Sequence, residues 1–490
     1  MTFTSYAYLG FLLLILLFYY FLPVRLQNIL LLAASCAFYW ILQPRFLWLL
    51  FATGLSCYLF TRLYCHIHSR RAEKLVFVLS LILVLAPLIV FKYLGFFDEI
   101  VCGVFRTDPH FTNFILPLGI SFYTFQTLGY MIDVHQGKTD PDRDIIRCLL
   151  FVSFFPQLMS GPIGRSTSLL PQYAEKRVFR TDNLKRAAVR YLSGIFKKAV
   201  IADNIGLVVD TYFSSPSVYG TTVCSAAVIA MYALQIYFDF AGYSDMAIAS
   251  AELFGIHLPE NFNTPYLASN ISGFWKRWHM SLTGWLTDYI YIPLGGNRKG
   301  QLRKDLNILI VFLVSGLWHG AAYTFVVWGL LHGLFRVGEE VVHRIRPPDK
   351  LKKDHPLKKV CKTIGVFCLA AFAFLFFRAT SIGEAFEVLG YLVRPAGLHA
   401  TVSQLSLLAY TAYSGNAVAT KLSLAVLALS LFLAAILDLR QYRIGNTDSS
   451  NSIPLLSFRF VPALLISAAM YLALILTGVF GVSNFIYFQF

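Results

Sequence analysis

Long apolar runs alternate with short polar connections from one end of the chain to the other. Crossing a bilayer as a helix takes about 20 apolar residues. Stretches that fit or come close are 7–23, 26–42, 45–61, 75–97, 114–132, 146–164, 187–212, 219–240, 306–336, 359–378, 419–438 and 459–480. The region 264–294 is apolar and aromatic but interrupted by Pro265, Gly273, Gly284 and Pro293. Broken backbone is tolerated at membrane depth only where protein buries it or a cavity solvates it, so re-entrant or interfacial pieces are expected there. The pattern predicts an all-α, polytopic integral membrane protein of roughly 10–13 transmembrane or re-entrant helices. It reads as a single domain over 1–490, with a core at about 114–336 between N-terminal helices (1–113) and C-terminal helices (359–490).

Composition sharpens this picture. The chain is 57% hydrophobic and 14% charged, where soluble domains hold about a quarter charged residues. No polar stretch is long enough to bury a core of its own. The net charge of +15 is concentrated between apolar runs, which suits an anionic membrane surface and lipid headgroups rather than nucleic acid. Basic loops mark the inside. The loop 62–74 carries Arg62, Arg70, Arg71 and Lys74 and reads as cytoplasmic, whereas 98–113, with Asp98, Glu99 and Asp108, reads as outside. The eight cysteines form no C-x-x-C pair, so neither a metal site nor a redox pair is expected. The first apolar run lacks a basic n-region and a small-residue cleavage site, and reads as a retained helix.

The run 306–336 has basic residues on both flanks, so both ends should face the same side. It would make about 45 Å of helix, long for one span and short for two. A broken or tilted element is expected, either dipping and returning with His319 near its deepest point or crossing with one misleading flank.

That element carries the strongest candidate for chemistry, His319 in Ser315-Gly316-Leu317-Trp318-His319-Gly320-Ala321. Ionisable groups at membrane depth are functional candidates by default, and a neutral imidazole is the natural general base near neutral pH. Gly316 and Gly320 would leave room for a substrate, and Trp318 would wall the cavity and offer an N–H donor. The competing reading is a histidine that hydrogen-bonds between helices. Upstream, His279 follows Trp278 in Phe274-Trp275-Lys276-Arg277-Trp278-His279-Met280-Ser281-Leu282. A snorkelling interfacial cluster is the alternative there. Asp239 and Asp245, in Tyr237-Phe238-Asp239-Phe240-Ala241-Gly242-Tyr243-Ser244-Asp245, read as a proton relay or as structural carboxylates. Asn297 and Arg298 follow a Gly-Gly turn (Gly295-Gly296) that leads into basic residues, a weak phosphate-binding pattern.

Taken together, these blocks resemble the membrane-bound O-acyltransferase family, in particular the bacterial branch that O-acetylates exported polysaccharides such as alginate. The resemblance rests on 237–248, on Asn261-Phe262-Asn263-Thr264-Pro265-Tyr266, on 274–282, on Tyr289 to Arg298 and on 315–321. Leu116 to Phe122, Phe154 to Ile163 and the aromatic tail Phe485 to Phe490 extend it. Lys276 and Met280 depart from the branch pattern, which has Arg and Ile there.

The resemblance implies helices around a central acyl-transfer tunnel, with His319 as the catalytic histidine and His279 as the second signature residue. Trp278, Trp318, Asp245, Asn297 and Arg298 are expected to bind substrate. The implied donor is a cytoplasmic acyl thioester (acetyl-CoA or an acyl-carrier protein), with no tightly bound cofactor. The implied partner is a periplasmic acetyltransferase that modifies the polymer, and the implied location is the bacterial inner membrane. A proton-coupled transporter or flippase for a lipid-linked sugar, or a non-catalytic scaffold, remains as an alternative.

Overall fold

The computed structural model describes residues 1–111, 114–347, 355–394, 397–413, 415–445 and 453–480. The aromatic segment Phe485 to Phe490 lies outside the described residues, as does part of the basic loop 336–362. Helices, π-turns and 3-10 turns connected by loops make up the described chain, with no strand among the described residues. Seven helices are long and apolar enough to cross a membrane among the described residues. Their outer faces expose large apolar side chains such as Leu59, Leu79, Phe432 and Leu465. Contiguous apolar surface of this kind suits lipid, not water.

Where the pattern along the chain suggests one domain, the contacts group into two compact units: Met1–Ala188 with Met246–Glu260, and Val189–Asp245 with Asn261–Phe490.

In the first unit, helix Ile120–His135 is buried without interruption from Ile120 to Met131. Its entry is set by Gly119 (φ +71), where a Cβ would stand 2.2 Å from the carbonyl oxygen of Leu158. The side-chain amide of Gln43 pins the preceding loop, accepting from the Leu118 N–H at 2.7 Å and donating to the Leu116 carbonyl at 3.2 Å. The expected span 146–164 is not one helix. Helix Ile145–Ser153 stops at Phe154 and a single turn, Phe155–Leu158, follows. Pro156 lacks the N–H that would continue the ladder. Every residue from Leu150 to Gly164 is buried, which meets the condition for irregular backbone at membrane depth.

In the second unit, which begins at Val189 within helix Thr181–Ile195, that helix passes through a π-turn, Phe196–Ala202, into helix Asp203–Ser214. Gly242, on helix Thr222–Leu253, lies against that turn. A Cβ there would meet the Gly194 carbonyl oxygen at 2.6 Å and the Lys198 nitrogen at 2.9 Å. This close approach brings Lys197 and Lys198 to the carboxylates of the long helix. Lys198 Nζ lies 2.7 Å from both Asp239 and Asp203, and Asp245 is gripped by Lys197 at 2.8 Å and Arg190 at 3.1 Å.

The element expected at 306–336 is two helices, Gln301–His319 and Tyr323–Ile345. Of the two expectations it fits the dip and return, and it corrects the length argument. Polar residues extend both helices past the apolar run, to 19 and 23 residues.

Candidate functional site

The hairpin is built by glycine. A Cβ on Gly316 would sit 2.3 Å from the Phe325 carbonyl oxygen, and one on Gly329 would sit 2.4 Å from that of Phe312. Backbone therefore packs on backbone, and the two helices run antiparallel in fixed register. At the far end the register is locked by Lys304 with Glu340 and by Arg344 with Asp305 at 2.5 Å, while Arg336 holds Glu339 and Glu340 along the return helix itself. His319 is the last residue of the first helix. The chain then turns extended at Gly320 (φ −157, ψ 148) and starts the return helix at Tyr323. The imidazole is thus set at the closed end of the hairpin, and the residue is 4% exposed.

The expectation that Gly316 and Gly320 leave room for substrate is overturned. The Gly316 face is filled by the return helix, and a Cβ on Gly320 would lie 2.1 Å from the Phe325 ring. The glycines serve helix packing.

His279 arrives on broken chain. Helix Ile271–Trp275 is capped by the Asn270 side chain, which accepts from the Gly273 N–H at 2.6 Å. Glu339 accepts from the Ile271 and Ser272 N–H groups at 2.8 and 3.0 Å, a carboxylate at the positive end of a helix. The chain then bends, and His279 adopts a left-handed conformation, φ 42 and ψ 54, before helix Met280–Leu286. A β-substituted residue in that region is strained, and such strain clusters at functional sites. Two asparagines hold the bend. The Asn261 carbonyl accepts from the Met280 N–H at 2.9 Å, and its side chain links Ser281 Oγ at 2.6 Å to Ser244 Oγ at 3.0 Å. Asn263 and Arg277 exchange hydrogen bonds, backbone N–H to carbonyl at 3.0 Å and guanidinium to carbonyl at 3.1 Å.

These two constructions bring His279 and His319 together, with ring centroids 6.3 Å apart. Trp318 touches both rings, at 5.8 Å from His279 and 5.0 Å from His319. Phe240 meets His279 edge-on at 4.7 Å, and Phe377 meets His319 at 5.3 Å. Among the described residues neither ring nitrogen of His279 has a hydrogen-bond partner. Buried polar atoms are normally satisfied, and exceptions call for a reason such as a reacting group or ligand.

The cluster continues through residues the sequence did not single out. Trp328 lies 5.0 Å from His319 and 4.9 Å from His332. His332 is 1% exposed and ringed by Phe274, Trp275, Phe312, Phe335 and Phe374. Neither of its ring nitrogens, nor the indole N–H of Trp275 or Trp328, has a hydrogen-bond partner among the described residues. A Leu-His-Gly sequence one helix after the first histidine was the available signal.

Other expected site residues go elsewhere. Trp278 is buried, but its ring packs on Phe262, Tyr266, Phe274 and Phe374. Asp245 is occupied by its two cations, and with Asp239 it belongs to the ion-pair cluster. Asn297 and Arg298 are exposed, on a turn made possible by Gly295 (φ +105) and Gly296 (φ +55) and tied down by Asn307, which donates to the Gly296 carbonyl at 3.0 Å. They precede helix Gln301–His319, so about 27 Å of helix separates them from His319.

Comparison with known proteins gives this arrangement a context. The model of the membrane-bound O-acyltransferase family matches residues 141–379, which include both histidines of the pair. A protein named probable alginate O-acetylase from Azotobacter vinelandii is 34% identical over 451 residues, covering 90% of this chain and 86% of that protein. The peptidoglycan O-acetyltransferase of Helicobacter pylori is 35% identical, covering 66% of this chain and 65% of that one. The teichoic acid D-alanyltransferase of Bacillus subtilis is 30% identical over 46% of this chain and 59% of its own length.

Proposed function

The chain belongs to the membrane-bound O-acyltransferase family, and on that premise we propose that it moves an acyl group, acetyl by its alginate-type relatives, from a cytoplasmic thioester to a hydroxyl. The acylated group is then used to decorate an exported cell-surface polysaccharide. The observation that carries this reading is the pair of buried imidazoles, His319 and His279, 6.3 Å apart at the closed end of a hairpin and walled by aromatic rings.

In the proposed reaction His319 takes the proton of the acceptor hydroxyl. The oxygen attacks the thioester carbonyl carbon, forming the new C–O bond, and the C–S bond breaks. The thiolate leaves with the proton that His319 received. Trp318 and His279, whose rings lie 5.0 and 6.3 Å from that of His319, supply the N–H donors for the carbonyl oxygen as it develops charge. Aromatic walls keep water from the thioester. The exposed Arg298, Lys299 and Arg303, at the opposite end of the His319 helix, attract an anionic donor carrier. We place the protein in the bacterial inner membrane, working with a periplasmic transferase that completes polymer modification.

The transporter alternative uses Asp239, Asp245 and the histidines as a proton path. The two carboxylates are committed, Asp239 to Lys198 and Asp245 to Lys197 and Arg190, which favours a structural role for them. Deletion of the gene in its host separates the readings. Acyl transfer requires that the polysaccharide is still exported in normal amount but lacks its ester groups by mass spectrometry. Loss of the exported polymer itself would favour the transporter.

A further inference from the structure

The first unit holds a cluster of chemically active side chains of its own, in a segment that contains neither histidine signature. Helix Leu94–Phe105 follows the π-turn Ile89–Tyr93. It presents Asp98 and Cys102 one helical turn apart. Its end is reversed by Arg106 (φ 57), and the returning chain brings back His110. The three donor atoms form a nearly equilateral triangle. Cys102 Sγ is 3.5 Å from Asp98 Oδ1 and 3.6 Å from His110 Nδ1, and His110 Nδ1 is 3.6 Å from the same Oδ1.

These edges have a chemical meaning. Zinc bonds of about 2.0–2.3 Å to O, N and S, arranged tetrahedrally, place the donor atoms about 3.3–3.6 Å apart. A right-angled octahedral arrangement would need about 2.8–3.1 Å. The donor set of thiolate, imidazole and carboxylate is also that of a borderline-soft ion. The other oxygen of Asp98 is held separately, accepting from the backbone N–H groups of His110 and Phe111 at 2.5 and 2.8 Å. Such hydrogen bonds orient a ligating carboxylate and leave its partner oxygen directed at the ion. Cys102 is buried, Asp98 is mostly covered, and the His110 side chain is 70% exposed, so the fourth position faces out. Glu99 and Asp108 add negative charge to the same short segment.

We propose that Asp98, Cys102 and His110 bind a zinc ion, with water or an outside donor as fourth ligand, and that the ion fastens the 106–111 loop to the helix end. Binding releases the thiol proton to solvent, so affinity rises with pH. The spacing, D-x3-C-x7-H, contains no C-x-x-C pair and escapes a search for one.

The test uses the full chain, purified in detergent under reducing conditions, with Zn²⁺ and Co²⁺ as the probes. The expected result is one tight equivalent of zinc, and with cobalt a thiolate-to-metal charge-transfer absorption. Cys102→Ser should abolish that absorption. His110→Ala, at an exposed position that leaves folding intact, should weaken metal binding roughly tenfold or more. Absence of a tight equivalent of metal in the wild type overturns the site. So does a thiolate band that survives Cys102→Ser, or unchanged affinity in His110→Ala. If Cys102→Ser fails to accumulate, His110→Ala decides alone.

Discussion

The indole of Trp328 meets the imidazole of His319 edge to face, with centroids 5.0 Å apart and planes at 84°. The two residues sit on opposite arms of one hairpin, so the ring proposed to take a proton is braced by the helix that returns from it. Misplacing a reacting group by about 1 Å can cost about 100-fold in rate. Trp328→Ala should lower polysaccharide ester content strongly in protein that still inserts, whereas Trp328→Phe, which keeps a ring in place, should retain most of it. Ester content is read by mass spectrometry and protein amount by immunoblot.

His279 tests the difference between fold and chemistry at one position. Its φ of 42 suits glycine better than histidine. His279→Gly relieves backbone strain while removing the ring. The variant should accumulate normally and melt at a temperature no lower than the wild type. Its acyl transfer should fall about 100-fold or more if the ring takes part in the transition state. A variant that is active and equally stable would remove His279 from the proposed machinery.

Gly316 and Gly329 have no space for a side chain, whereas a Cβ on Gly338 would meet no atom within 4 Å. Gly316→Val and Gly329→Val should force the hairpin arms apart and strip the membrane of folded protein, at a cost above about 3 kcal/mol. Gly338→Ala, on the same return helix, should be silent. Thermal unfolding of the detergent-solubilised protein reads all three.

Asp245 separates a substrate contact from a structural ion pair. Asp245 and its two cations are largely covered, and removing one partner of such a pair costs up to about 3–5 kcal/mol, the figure for full burial. Asp245→Asn should therefore lower the melting temperature and the amount of protein, with the ester content per molecule unchanged. A stable variant with impaired transfer would return Asp245 to the substrate.

The membrane class, most spans and the blocks holding both histidines were legible because burial in lipid writes itself as long apolar runs, and because broken backbone at depth needs Pro and Gly. Three things were not. The arms of the His319 hairpin end in Lys304 and Asp305 on one side and Glu340 and Arg344 on the other, whose pairing across the hairpin is a tertiary fact that hydropathy cannot register. The space beside Gly316 and Gly320 looked open in one dimension and is filled by Phe325 in three. Trp328, His332 and Phe377 sit in ordinary helical sequence, and only helix packing directs them at the histidines. Conversely, the link between Asn261 and the His279 bend joins residues that lie close in sequence, but nothing in their spacing says which asparagine caps which turn.

The central claim concerns one imidazole. In the native host, His319→Asn should be measured for ester groups per sugar residue on the exported polysaccharide, with the variant matched to wild type in membrane abundance and melting temperature. The proposal predicts that esters fall to the level of the gene deletion while polymer export continues. Normal ester content in that matched variant would contradict it.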